Sequence, residues 1–144
     1  MSLYEIYNLK LIEFITQKRC DLSNSCISKI DEKIFEFIAL EELDLSENTI
    51  VEIPEDIQKL ANLKSLILSD NKIKKIPDSL GELNSLENLY LSGNELQKLP
   101  ESITQLQNLK WLSLSDNPNL SISDEQMQWL ESLKRTNCKI FLDK

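Results

Sequence analysis

Residues 40–60 read LEELDLSENTIVEIPEDIQKL, and the same pattern returns at residues 63–83 and 86–106. The step from one copy to the next is 23 residues, and several positions of the unit keep this step at once. Repetition at a fixed interval of about 20–50 residues indicates a stack of similar units. The repeating columns are Leu43, Leu66, Leu89 and Leu112; Leu45, Leu68, Leu91 and Leu114; and Asn48, Asn71, Asn94 and Asn117.

The spacing inside one unit predicts a strand followed by a short helical return. Leu43 and Leu45 are two residues apart, so on a strand both side chains point to the same face. The apolar residues of 50–60 recur every three or four positions, which is typical of a turn and a short helical segment. Pro54 is predicted at the first helical position, where its missing N–H costs nothing. Coils built in this way must stack, because none can bury its leucines alone.

The unit LxxLxLxxNxΦxxΦPxxΦxxL, where Φ is Ile or Leu, resembles the repeat of the leucine-rich-repeat family over residues 18–122. Its proline is similar to that of the 23-residue class, which includes many bacterial proteins, some from spirochaetes, and intracellular eukaryotic scaffolds. The resemblance implies an α/β fold, a right-handed solenoid with a parallel, concave β-sheet and with short helices or 3₁₀ turns on the convex side. It also implies that the repeated asparagine bonds backbone groups of its own and neighbouring coils. The family is united by architecture and not by one activity.

One domain is predicted for residues 1–144, with the repeats between two caps. Residues 1–17 carry apolar side chains at an approximately helical spacing and predict an N-terminal capping helix over the open end of the core. The alternative for this segment is an amphipathic helix that contacts a membrane or a partner helix. The first coil departs from the unit, since Cys20, Ser25 and Asp31 stand where leucine, asparagine and proline are expected.

A C-terminal cap of one helix and one strand is predicted over residues 123–144. The sequence Ser-Asp-Glu-Gln at 123–126 has a capping-box arrangement, so a helix should begin there and reach about Lys134. The residues predicted to face the core from this helix are Met127, Leu130 and Leu133.

The final strand is predicted from the alternation of Cys138, Ile140 and Leu142. We expect Cys138 and Ile140 to lie beside Leu112 and Leu114, which precede them by 26 residues. The free edge of this strand is a candidate dimer contact, and charged side chains could blunt it. The chain is therefore predicted to be a monomer or a weak dimer. The charged residues near this edge are Lys139 and Lys144.

The net charge of −8 and the absence of histidine restrict the partners. Phosphate binding relies on clustered Lys and Arg, so the charge argues against nucleic acid and against an anionic membrane surface. A protein or peptide partner, basic or polar, is compatible with it. No apolar run approaches the ~20 residues of a membrane span, so no membrane insertion is expected. No leader is visible, and the odd number of cysteines indicates free thiols, so we expect a cytoplasmic protein, or a secreted one if a leader was removed.

Two columns of strand residues are predicted to point away from the core on the concave face. Adjacent strands lie ~4.8 Å apart, so Ile67 and Tyr90 should be neighbours, with Trp111 diagonal to Tyr90. Exposed aromatic residues are enriched at binding hot spots, which predicts a partner-binding site; mutual packing that stiffens the sheet is the alternative. The predicted site residues are Ile67, Asn88, Tyr90 and Trp111. An acidic flank predicted to attract a basic segment comprises Asp21, Glu42 and Asp44, with Glu47 and Asp70 beside it.

Catalytic and metal-binding motifs are not recognisable in the sequence. A column of five serines has no histidine to act as a base, and there is no P-loop, dinucleotide turn, HExxH or CxxC motif. We therefore expect no enzymatic activity, no cofactor and no metal. The predicted function is a non-catalytic interaction module that binds a protein or peptide on its concave face. The alternative is a secreted or surface-exposed bacterial protein that binds host proteins or glycans.

Overall fold

A computed structural model describes residues 15–143 of the chain. Six parallel strands form one open sheet in chain order, which confirms the predicted solenoid. Most of the predicted N-terminal cap, residues 1–17, lies outside the described residues. Its described part, residues 15–17, is helical. None of the helices in the described part is both long and apolar enough to cross a membrane. The strands are β1 (Arg19–Asp21), β2 (Glu42–Asp44), β3 (Ser65–Ile67), β4 (Asn88–Tyr90), β5 (Trp111–Ser113) and β6 (Lys139–Phe141).

The 23-residue period of the sequence sets the register of the first five strands. The central leucine of each strand pairs with the central leucine of the next, from Leu43 to Leu66 and onward to Leu112. These leucines are completely buried, and the core continues from coil to coil. A shift by one residue would turn the leucines toward solvent, so their burial fixes the register.

The register of β6 differs from the predicted one. Ile140 pairs with Leu112, 28 residues earlier, and does not lie beside Leu114 as expected. Cys138 precedes the strand and is buried. The error of two residues keeps Ile140 on its predicted face. The error arose because a full α-helix replaces the short 3₁₀ helix in this coil. The length of the segment between β5 and β6 therefore does not follow from the 23-residue repeat.

Four 3₁₀ helices form the convex side. Pro54, predicted at the first helical position, is instead the N-cap residue just before the helix, with φ −65° and ψ 151°. The helix therefore begins one residue later than predicted, at Glu55. The extended ψ lets the Pro54 carbonyl accept a hydrogen bond from the N–H of Ile57 at 3.1 Å. In the first coil Asp31 replaces the proline and caps the N–H of Lys33 through its side chain at 2.9 Å. The helices are η1 (Glu32–Glu36), η2 (Glu55–Lys59), η3 (Asp78–Glu82) and η4 (Glu101–Gln105).

The repeated asparagines form a buried ladder, as the resemblance implied. The Asn71 carbonyl oxygen accepts from the N–H of Ile50 at 3.0 Å. Its amide nitrogen donates to the carbonyls of Leu45 at 2.9 Å and Leu68 at 3.1 Å. One side chain therefore joins the backbones of two consecutive coils. The same bonds recur at Asn94 and Asn117.

The residue before each ladder position has a left-handed backbone. At Glu47 the φ angle is 54°, and its N–H donates to the carbonyl of Ser69 in the next coil at 3.0 Å. A positive φ costs an ordinary residue roughly 1–2 kcal/mol, and this bond between coils offsets part of that cost. The column with positive φ is Asn24, Glu47, Asp70, Gly93 and Asp116.

The C-terminal helix, Asp124–Arg135, begins with the predicted capping box. The Ser123 hydroxyl accepts from the N–H of Gln126, whose side-chain oxygen accepts from the N–H of Ser123. Met127 was predicted to face the core but is 42% exposed, so that prediction is wrong. Gln126 is buried instead, because its side-chain N–H donates to the carbonyl of Leu99 at 2.9 Å. The other core-facing residues of the helix are Trp129, Leu130 and Leu133.

A row of alternating charges runs along the rim of the sheet, just before the strands. The Glu41 carboxylate contacts Lys18 and Lys64 of the two neighbouring coils, each at 3.3 Å. Hydrogen bonds from Lys64 and then Lys18 lower the pKa of Glu41. The row comprises Lys18, Glu41, Lys64, Glu87 and Lys110, and the last two are 3.1 Å apart.

Replacing Asn71 with alanine should destabilise the fold by about 2–4 kcal/mol, because each buried backbone group left without a partner costs about 1–3 kcal/mol. Urea denaturation followed by circular dichroism measures the difference. Asn119 is exposed and lies outside the ladder, so Asn119→Ala is the matched control, with an expected change within about 0.5 kcal/mol. Equal stability of Asn71→Ala and wild type would show that the ladder bonds do not hold the coils together.

Glu41→Gln should lower the melting temperature at neutral pH. Because folding lowers the pKa of Glu41, its charge stabilises the fold above the unfolded pKa, and this contribution is lost as the pH falls through the folded pKa. The melting temperatures of variant and wild type should therefore converge in acid. In Glu82→Gln, the control, an exposed carboxylate without a described partner is removed, and no such pH-dependent difference is expected. A difference that persists unchanged at low pH would argue against the charge row.

Candidate functional site

The outward side chains of the six strands form two rows on the concave face. They share this face because side chains alternate along each strand while the leucines point inward. The first row contains Arg19, Glu42, Ser65, Asn88, Trp111 and Lys139. The second row contains Asp21, Asp44, Ile67, Tyr90, Ser113 and Phe141.

The four residues of the predicted site lie together at the C-terminal half of this face. Ile67 is the register partner of Tyr90, and Asn88 is the register partner of Trp111. The rings of Tyr90 and Trp111 have centroids 5.9 Å apart and planes tilted by 30°. All four side chains are half-buried. Each of them therefore lies beside another of the four in register and keeps part of its surface exposed to solvent.

Two further residues belong to this cluster and were missed from the sequence. The Phe141 ring lies 4.8 Å from the Trp111 ring, and the Lys139 ammonium is 5.7 Å from the centroid of Trp111. The predicted register would have placed both residues beside other partners. Their alternation with Ile140 did indicate the outward face, but the length of the connection before β6 has no counterpart in the repeat. We define the aromatic strip as Tyr90, Trp111 and Phe141.

Trp111 presents its ring and not its indole N–H. The Nε1 atom is buried and has no hydrogen-bond partner among the described residues. The ring is stacked between Tyr90 and Phe141, and Phe141 is 44% exposed. A partner would therefore meet apolar ring surface, with the positive charge of Lys139 beside it.

The predicted acidic flank lies on β1 and β2, at the other end of the same face. Glu42 forms an ion pair with Arg19 at 2.9 Å, so part of its charge is neutralised. Asp44 Oδ1 accepts from the backbone N–H and the hydroxyl of Ser46, at 2.9 and 2.6 Å. Asp21 makes the equivalent bonds to a serine of its own coil. These carboxylates shape the exit from the strand and also leave this end of the face acidic.

Glu47 and Asp70 lie just after the strands, where the chain turns, and both are exposed. The Asp70 carboxylate fills the space beside Gly93. A methyl group at Gly93 would overlap Asp70 Oδ1, and the φ of Gly93 is 68°. Glycine adopts this backbone conformation without strain and leaves room for the Asp70 carboxylate, whereas the equivalent turns hold other residues at a similar φ.

The serine column lies beside this face, where the strands end. The serine column supports the turns, and Ser92 donates to the hydroxyl of Ser69 at 3.2 Å. Within residues 15–143, no three or more Cys, Asp or Glu side chains cluster in a way that could hold a metal ion. The described cysteines are free thiols, and burial raises the pKa of Cys138.

Comparison with known proteins identifies the repeat in both halves of the chain. A family model described as leucine-rich repeat region matches residues 55–142, and one described as leucine rich repeat matches residues 18–73. A search of curated proteins found no match.

Solved structures with the same architecture come from bacteria and a plant. A leucine-rich-repeat protein of Leptospira interrogans is 35% identical, with a TM-score of 0.67 over 79% of this chain and 28% of its own. Internalin C2 of Listeria monocytogenes is 25% identical, with a TM-score of 0.70 over 85% of this chain and 50% of its own. The ectodomain of the receptor kinase SOBIR1 from Arabidopsis thaliana is 26% identical, with a TM-score of 0.67 over 85% of this chain and 66% of its own.

The chain spans less than a third of the length of the Leptospira protein. The similarity is therefore one of repeat structure, and it does not extend to the activity of the longer protein. The 23-residue unit, the parallel sheet, the asparagine ladder and the matched family models agree over most of the sequence. The chain belongs to the leucine-rich-repeat family.

Proposed function

We propose that the chain is a non-catalytic interaction module that binds a protein or peptide on its concave face. The leucine-rich-repeat fold is in general an interaction scaffold, and its relatives in the comparison include a receptor ectodomain. The proposed contact surface joins the aromatic strip to Ile67 and Asn88. The acidic residues of β1 and β2 form its flank.

The observation that carries this proposal is the aromatic strip, which together with Ile67 forms an apolar group on an otherwise polar concave face. Tyr and Trp are enriched at the residues that dominate binding energy. Their stacking restrains the rings before binding, so little side-chain entropy remains to be lost when a partner docks. Packing that only stiffens the sheet is the competing explanation. The 44% exposure of Phe141 favours a contact surface, because a ring that served packing alone would gain from being covered.

The partner is proposed to carry a basic segment. Asp21 and Asp44 lie side by side in register on β1 and β2, and the whole chain has a net charge of −8. Complementary charge raises the association rate more than the affinity and is screened within ~8 Å at physiological salt. A partner with basic residues toward β1 and apolar residues toward β5 would fit both ends of the face.

A second candidate is a surface-exposed or secreted bacterial protein that uses the same face on a host protein. The resemblance to bacterial proteins, among them internalin C2 of Listeria monocytogenes, supports this candidate. It differs from the first in compartment only. Fractionation of the source cells distinguishes the two, because recovery outside the cytoplasm would support the second candidate and recovery within it the first.

Tyr90→Ala/Trp111→Ala should abolish capture of the partner while the chain stays folded. Loss of two hot-spot side chains typically costs more than ~2 kcal/mol, a decrease of at least about 30-fold in affinity. A pull-down with wild type identifies the partner, and titration calorimetry with the purified partner measures the decrease. Val51→Ala, which removes an apolar side chain that is 47% exposed elsewhere, is the control. Unchanged affinity of the folded double variant would refute the site.

Asp44→Asn should slow association with a basic partner and reduce the salt dependence of the association rate. The asparagine Oδ1 can still accept from Ser46, so the charge is lost while the turn is kept. Surface plasmon resonance at two salt concentrations measures the rates. The same change at Asp56, which lies in η2 on the convex side, should leave them unaltered. If both variants associate as wild type does, the acidic flank has no part in recognition.

A further inference from the structure

The outer edge of β6 is not paired with another strand in the part of the chain that the structure describes. The N–H of Lys139 donates to Lys110 at 3.0 Å, and the carbonyl of Phe141 accepts from Leu114 at 2.7 Å. Residues 139 and 141 therefore use their backbone groups toward β5. Since these directions alternate along a strand, the N–H and carbonyl of Ile140 point to the outer edge.

Apolar side chains lie next to this edge on both faces of the sheet. Phe141 is 44% exposed on the concave face, and Leu142 is 37% exposed. Ile140 is half-buried on the opposite face, where it packs against the end of the core. An unpaired strand edge with apolar neighbours favours pairing with another strand.

We propose that β6 of one copy pairs with β6 of a second copy, antiparallel about a twofold axis at Ile140. In this register the two Ile140 residues exchange both N–H···O bonds, as in a hydrogen-bonded antiparallel pair. The two sheets become one continuous sheet across the dimer. A twofold axis gives each copy the same environment and closes the assembly.

The residues that meet in this register are complementary, and this favours a second copy as the occupant. Lys139 lies opposite Phe141 of the second copy, so the ammonium that already contacts Trp111 gains a second ring and meets no like charge. On the opposite face, Leu142 lies beside Cys138 of the second copy. A slip that centres the pair on Leu142 would instead set Phe141 against Asp143.

The dimer is weak because the paired edge is short. β6 has three residues, and an interface of that length falls below the ~1,200 Å² of total area that stable complexes usually bury. Its population therefore rises with protein concentration. The aromatic strips of the two copies would then lie on one joined face, so two contact surfaces could engage a single large partner.

Cysteine cross-linking tests the register. Residue 142 lies opposite Cys138 of the second copy, with Cα atoms about 5 Å apart as in neighbouring antiparallel residues, which a disulfide can span. The Ile140 bonds hold this pair together, because the N–H of Cys138 already donates to the carbonyl of Leu133 at 3.0 Å. Within one copy the two positions are separated by about 13 Å of extended strand, so they cannot cross-link. Leu142→Cys, with Cys26 replaced by serine because it is exposed, should give a covalent dimer on oxidation with copper phenanthroline. Adding Cys138→Ser should abolish it. Absence of the covalent dimer, or its persistence without Cys138, would overturn the proposed register.

Sedimentation equilibrium tests the association without added cysteines. The average mass of wild type should rise from 16.7 kDa toward twice that value as the concentration increases. Leu142→Glu places a charge at the pairing surface and should remain at the monomer mass. Val51→Glu changes an exposed apolar residue away from β6 and should associate as wild type does. A constant monomer mass for wild type, or unimpaired association of Leu142→Glu, would contradict the dimer.

Discussion

The buried amide of the repeated asparagine is the interaction on which the rest of the structure depends. A coil with a three-residue strand and a five-residue 3₁₀ helix makes few hydrogen bonds of its own. Asn71 binds one N–H and two carbonyls that neither element can satisfy, and these groups belong to two coils. Since an unpaired buried backbone group is costly, each coil needs its neighbour as much for these bonds as for apolar burial.

This ladder also decides where surface chemistry can lie. With the turns held at a constant 23-residue interval, equivalent residues of successive coils fall side by side on the concave face. A side chain at one outward position of a unit therefore lies next to the side chain at the same position of the next unit. Tyr90 and Trp111 come together in this way, as do Asp21 and Asp44. The proposed contact surface therefore consists of residues in columns of the sequence that the fold itself does not constrain.

Sequence reasoning succeeded wherever the period applied and failed where it ended. The leucine and asparagine columns predicted the sheet, its register through β5 and the neighbours of Tyr90. Beyond Leu114 an α-helix replaces the return, and the position of β6 depends on how that helix packs; Phe141 was therefore missed. Local spacing also misjudged Met127, because the stripe that faces the core is set by the buried hydrogen bond of Gln126. The ion pair between Glu42 and Arg19 was not predicted, because it depends on side-chain conformations that the sequence alone does not give.

Native-state hydrogen exchange at the ladder tests the central claim most directly. The N–H groups of Ile50, Ile73 and Leu96 each donate to the asparagine of the following coil. If the ladder joins the coils into one cooperative unit, these three groups exchange only through global unfolding, with the same opening free energy and the same urea dependence. Three separate opening free energies, each below that of global unfolding, would show that the coils open independently and would contradict the account.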